Sequence, residues 1–274
     1  RLCCSFFYAL FYAYLYKKSI NIEVDMHRFV IFLIFLITVV AFIMGYQHYS
    51  LKKNEAERQT FDLVMSEKMG QLYEQAQDWS KPIQLNVHDE RLHGDYKVLS
   101  EFVLNYWVKN AETRNQYLRE LKAVKWEHFL NVNRLDNDRK QAYKETESML
   151  QIAHKASEKY LKQNEFNKNE ALVQVKKLDI NRELRKPLEE KLEKNLKHDQ
   201  ESSLIMLEIQ VFNKADEMLA MLKKYEWERK GDQILFKNDA QVKQFNVLYQ
   251  DILKLSAQIE QRKEGNADAL EEAI

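Results

Sequence analysis

The sequence predicts an all-α protein: a single N-terminal transmembrane helix, then an elongated antiparallel helical bundle, coiled-coil-like in part, with one small β-hairpin. Three observations predict it. Only five Gly and two Pro are spread over 274 residues, too few turn residues to cut the chain into many short strands. Apolar residues recur at steps of three and four along most of the chain, the spacing that lines one face of a helix. Phe29 to Tyr46 is a run of eighteen residues without a charge, about 27 Å long as a helix and close to the hydrocarbon thickness of a bilayer.

Residues 1–25 are apolar and rich in aromatics, begin with Arg1, and precede the first methionine, Met26. They read either as translated sequence upstream of a start at Met26 or as the remainder of a truncated segment. Residues 26–53 read as a signal-anchor. Thirteen of the eighteen uncharged residues are Leu, Ile, Val or Phe, each favouring insertion by about 0.3–0.6 kcal/mol near a helix centre. Phe29, Leu33, Leu36, Val40, Ile43 and Tyr46 mark one line along the lipid-facing rod. A cleaved signal peptide needs a shorter apolar region and small residues at the cut; here bulky Ile43 stands two positions before Gly45. Tyr46, His48 and Tyr49 offer amphipathic rings at headgroup depth, and Lys52 and Lys53 can snorkel. Basic residues flank both ends almost equally, so orientation rests on the tendency of long domains to translocate regardless of charge. The expected location is the plasma or inner membrane, with the domain on the extracytoplasmic side.

Residues 54–264 form the helical bundle domain. Phe61, Met65, Met69, Leu72, Ala76 and Trp79 make a first stripe that Pro82 stops. Residues 82–95 alternate and then turn polar, as a loop or short extended piece. Asp95 is placed to cap the next helix, with Leu99, Phe102, Val103 and Tyr106 on its inner face. Tyr117, Leu121 and Val124 suggest a further helix, and Ala142, Thr146, Met149, Ala153, Ala156 and Tyr160 another, whose small residues allow a close partner. "QNEFNKNE", 163–170, reads as an internal linker. Pro187 stands where a helix can start. From Leu184 the pattern runs to Tyr225, 42 residues, which implies either a break near 198–203 or a stalk. Lys230, Gly231 and Asp232 suit a tight turn, placing a hairpin near 225–238. Asp239 would cap a closing helix carrying Phe245, Leu248, Ile252, Leu255 and Ile259, and residues 265–274 read as a flexible acidic tail.

Charge narrows the partners. The whole chain has 42 basic and 42 acidic residues, but residues from Asn54 onward hold 36 and 40, a net of about −4. Nucleic acid is bound chiefly through basic residues set against phosphates, so it is excluded as a partner. Cys3 and Cys4 are adjacent and no other cysteine follows, which rules out a disulfide scaffold and a cysteine-based zinc site beyond them.

The densest polar cluster is "HDERLHGD", with His88 and His93 among three acids. These two histidines are the candidate metal ligands, but a five-residue separation misses the i, i+4 spacing that sets two imidazoles on one helical face. A hydrated loop, with no metal and no cofactor, is the expectation. His128 and His154 stand alone and read as packing residues. Gly-rich phosphate loops and nucleophile elbows need clustered glycines, and there are none. Surface carboxylates such as Glu190 and Glu193 sit four residues before lysines, as solvated pairs. Trp227 and Phe236 could form an exposed clamp for a partner, although covering one end of the bundle is the more natural use of a hairpin.

The functional expectation is a membrane-anchored, non-enzymatic helical protein that mediates protein–protein interaction or spacing at a cell envelope. Its partners would be the bilayer and other proteins, a second copy of the chain included. The alternative is a membrane-tethered sensor or small-ligand-binding helical bundle.

Overall fold

The computed structural model describes the backbone of residues 55–202 and 204–271 and the side chains of 56–194 and 204–262. The signal-anchor at 26–53 and the segment at 1–25 lie outside the described residues. Among the described residues, no helix is long and apolar enough to cross a membrane. Seven α-helices and a two-stranded antiparallel sheet make up the described part.

The elements are α1 (Glu55–Gln77), α2 (Gly94–Ala123), a 3-10 turn (Trp126–His128), α3 (Val132–Arg139), α4 (Lys144–Val175), α5 (Arg182–Ser202), α6 (Leu204–Lys224), β1 (Trp227–Lys230), β2 (Gln233–Phe236) and α7 (Asp239–Glu271). The spine is α2 and α4, of 30 and 32 residues, each about 45–48 Å long. They run antiparallel: Lys109 meets Glu170 at 2.6 Å and Glu120 meets Lys159 at 2.7 Å. Against α4, α6 also runs antiparallel, with His154 bridged to Asp216 and Glu147 to Lys223. The order of packing is α1 on α2, α2 on α4, α4 on α5 and α6, and α6 on α7.

The first stripe read from the sequence is the buried face of α1: Phe61, Met65, Met69, Leu72 and Ala76 all join one core with Leu99, Val103 and Trp107 of α2. The loop after α1 has no regular structure, yet Ile83, Leu85 and Val87 lean on that core. A second core joins Tyr117 and Leu118 to Ala153, Ala156, Tyr160 and Phe212. Here the small residues of α4 let its neighbours approach closely, as their spacing implies. A third, at the hairpin end, joins Phe129, Leu135, Tyr143 and Met149 to Leu219, Trp227 and Phe236.

Several boundaries differ from the sequence reading, each for a local reason. Tyr117 and Leu121 do not open a new helix; α2 runs unbroken to Ala123 and stops where Lys125 turns left-handed at φ 53°. Residues 163–170 are not a linker but the interior of α4. Their polar side chains are used inside the bundle, as described below. Pro187 lies inside α5, not at its start. The helix opens at Arg182, where the Asn181 side chain accepts from the Glu183 backbone N–H at 3.0 Å. Pro187 is exposed there, while Leu188 and Leu192 are buried against Ala171 and Val175. The run from Leu184 to Tyr225 lies on α5 (Arg182–Ser202) and α6 (Leu204–Lys224). Asp95 and Asp239 both fall in first turns instead of at caps; Asn238 caps α7 by accepting from Ala240 N–H at 2.7 Å. The backbone of α7 stays helical to Glu271, through most of the stretch read as a tail. The hairpin pairs Trp227 with Phe236. Gly231, at φ +61°, opens its two-residue loop, a position that favours glycine.

Candidate functional site

His88 and His93 are not brought together as a ligand pair. His88 is exposed and its Nδ1 lies 2.8 Å from a Glu101 carboxylate oxygen. His93 is the exposed N-cap of α2 and makes no side-chain cap. The neighbouring acids are taken by arginine: Arg91 donates to Asp89 at 2.9 Å and to Glu67. Those Arg91 hydrogen bonds hold the Asp89 carboxyl well below the usual carboxylate range against the opposing effect of burial. The described residues contain no group of three or more His, Cys, Asp or Glu that could hold a metal ion. His154 is half-buried and bonded to Asp216 at 2.6 Å, with Phe212 edge-on to its ring. His128 is exposed and is not a packing residue.

Trp227 and Phe236 are buried, at 3% and 9% exposure, so they do not form an exposed clamp. The reason is visible in their partners. Trp227 Nε1 donates to the Tyr143 hydroxyl at 2.7 Å, and that hydroxyl donates to the Leu222 carbonyl at 3.0 Å. The Arg139 guanidinium lies 4.4 Å over the Trp227 ring and donates to the Trp227 carbonyl. Phe236 packs on Phe245 of α7. The hairpin is the lid of one end of the bundle.

Beneath it, a short element missed in the sequence organises the start of α4. Tyr143, the N-cap residue of α4, is left-handed at φ 60° and provides no side-chain cap. Asp138, at the end of α3, supplies the cap from outside. Its carboxylate accepts from the backbone N–H groups of Glu145 and Thr146 at 3.0 and 2.8 Å, and from the Thr146 hydroxyl at 2.6 Å. Burial alone would raise the Asp138 pKa, but these hydrogen bonds and the nearby Arg134 lower it overall.

The least ordinary place is the middle of the spine, where α2, α4 and α6 bury charge and amides. Arg114, 1% exposed, donates from both terminal nitrogens to Glu208 of α6 at 2.9 and 2.5 Å. The guanidinium also lies 4.7 Å from the Tyr117 ring and 5.5 Å from the Tyr160 ring. Burial would push the Arg114 pKa down, but the charge and hydrogen bonds of Glu208 win and raise it, so the guanidinium stays charged. On the α4 side, Asn167 donates to Asn110 and to Thr113 at 3.2 Å each, and accepts from Gln163 at 2.9 Å. These are the residues that made 163–170 look like a linker. Asn115 is 0% exposed and neither of its amide atoms has a hydrogen-bond partner; the Asn110 amide nitrogen also lacks one.

The tyrosines of this arrangement keep their protons near neutrality. Burial pushes the Tyr106 phenol up to about 12 and raises those of Tyr117 and Tyr160 as well. Arg114 is the residue least suited to release a proton. None of Asn110, Arg114, Asn115, Asn167 and Glu208 was singled out by motif reading. A signal existed: Trp107, Asn110, Arg114 and Tyr117 step by three, four and three, so polar residues occupy positions of an apolar stripe. No protein-family model, curated protein or solved structure matches the chain.

Proposed function

We propose that the protein is a membrane-anchored, non-enzymatic helical protein that mediates protein–protein interaction or spacing at a cell envelope. The observation that carries this is the uncharged run from Phe29 to Tyr46, which eight residues separate from Glu55, the first described residue of α1. So short a connection would hold α1 beside the bilayer, and the α2–α4 spine gives a body about 45 Å long to present to partners. The two-pronged Arg114–Glu208 pair and the raised tyrosines support a holding role over a chemical one. The location that goes with this reading is the plasma or inner membrane, with the bundle on its extracytoplasmic side.

A topology reporter fused after Ile274 tests attachment and compartment together. Extracytoplasmic reporter activity in a detergent-dependent fraction is the expected result; cytoplasmic activity, or a reporter free of membranes, would contradict it. A second reading, a membrane-tethered sensor or small-ligand-binding bundle, is favoured by the unpartnered buried amide of Asn115. A ligand that binds the folded state raises the unfolding midpoint, so a thermal-shift screen with small polar compounds separates the two. No shift for any of them, beside crosslinked protein partners, supports the first reading.

A further inference from the structure

The outward face of α7 carries a pattern that its own fold does not use. α7 turns Leu248, Ile252 and Ile259 toward α6 and leaves a shallow depression on the opposite side, from Asp239 to Lys254. Val247 is 52% exposed at its centre, with Asn246 and Gln250 exposed beside it. Asp239 and Lys243 stand four apart with the acid first, the favourable order for an ion pair on one helix. Yet Asp239, Lys243 and Lys254 form no ion pair among the described residues, while Asp251 is held at 3.6 Å by Lys214 of α6, which also meets Glu217.

We infer that this face docks a second copy of the chain, the two α7 helices crossing antiparallel about a two-fold axis between Asn246 and Val247. An axis at that point places Asp239 of one copy opposite Lys254 of the other, and Lys243 opposite Gln250, one residue from Asp251. Val242 meets Asp251, and the Val247 side chains meet near the axis over Asn246. No like charges face each other. A parallel pairing of the same face would set Asp239 on Asp239, Lys243 on Lys243 and Lys254 on Lys254, so repulsion selects the antiparallel arrangement. The contact extends over sixteen residues, about 24 Å of helix, and falls well short of the roughly 1,600 Å² that stable complexes bury. It is therefore weak in free solution. This inference rests on the membrane-anchored reading, because confinement to one bilayer raises the effective concentration that a weak contact needs.

The test uses the full chain in its native membrane, with Cys3→Ser and Cys4→Ser as the background. Val247→Cys, next to the axis, should give a disulfide-linked dimer on mild oxidation. Val173→Cys, equally exposed at 54% but on α4, should not. Lys254→Asp sets acid against Asp239 at two symmetric places and should lower the yield of the Val247→Cys dimer about tenfold. Adding Asp239→Lys to Lys254→Asp should restore it, which loss of helix stability would not do. Equal yields from Val247→Cys and Val173→Cys, failure of the reversed pair to restore the dimer, or a crosslink to a different protein would each overturn the inference. Sedimentation of the same samples separates the two claims. Chain that pellets with the membrane but does not crosslink removes the self-docking and leaves the anchor. Chain that is released without detergent but crosslinks at Val247→Cys removes the anchor and supports the docking.

Discussion

Two buried polar regions of this bundle solve the same problem in opposite ways. At the hairpin corner, Trp227 Nε1, the Tyr143 hydroxyl and both Asp138 carboxylate oxygens have partners within ordinary hydrogen-bond distance. In the middle of the spine, the buried Arg114 is paired with the half-buried Glu208 beside the Asn115 amide, which has no partner at all. The corner is a set of partnered bonds and a carboxylate cap, cheap to bury because each group exchanges water for a partner. The middle carries the desolvation of Arg114 and part of that of Glu208, which attraction offsets only while both remain. What the middle provides in return is register. A bidentate arginine fits its carboxylate in one geometry, and the Asn167 bonds to Asn110 and Thr113 set α4 against α2 at the same level.

That difference can be broken by mutation. Glu208→Ala strands the Arg114 charge in the core and should cost about 3–5 kcal/mol in denaturant unfolding, the largest effect in the bundle. Replacing both partners, Arg114→Met with Glu208→Met, should recover most of that loss; a double variant as unstable as the single one would refute the desolvation argument. At the corner, Trp227→Phe keeps a ring on the core but removes the donor to Tyr143, and an unfolding free energy lower by about 1–2 kcal/mol is expected. A loss as large as that of Glu208→Ala would mean the two regions do not differ.

Acid should act on the corner through Asp138. Its folded pKa lies below the ordinary value of 3.8, so its contribution is fully present above that value and is lost as pH falls through the folded pKa. Asp138→Asn should remove this part of the acid limb and lower stability near neutral pH by about 1 kcal/mol. A stability profile between pH 2 and 5 that keeps its shape in the variant would exclude the role. The smallest effect belongs to Asn115. Asn115→Leu removes an unpartnered amide and should leave thermal stability unchanged or raise it by up to about 1 kcal/mol. A marked loss would show that the amide serves a buried water or ligand.

How much of this was readable depends on which physical signal each element writes into sequence. α1 and the inner face of α7 are amphipathic in the ordinary way, and their stripes named the buried residues directly: Phe61, Met65, Leu72, Leu248, Ile252. The hairpin was legible from Gly231, because a two-residue loop needs a positive φ at its first position. α2 and α4 were underestimated in length because their middles bury polar residues. Asn167 and Gln163 look like a hydrated linker until the partner helix is known, since a hydrogen bond between distant residues leaves no local trace. α3 was missed because its capping of α4 comes from Asp138, seven and eight residues before the N–H groups it serves. Trp227 reads from the sequence as a clamp residue or as part of a hairpin covering one end of the bundle, and its contacts with Tyr143 and Arg139 show that it faces inward.

The anchor is tested most directly by washing membranes that hold the full chain with alkaline carbonate, without detergent. Retention in the pellet is the expected result, together with release of a Leu36→Arg, Val40→Arg variant, whose charges at the helix centre cost about 2.5–3.5 kcal/mol each on insertion. Recovery of the unaltered chain in the supernatant would contradict the membrane-anchored function.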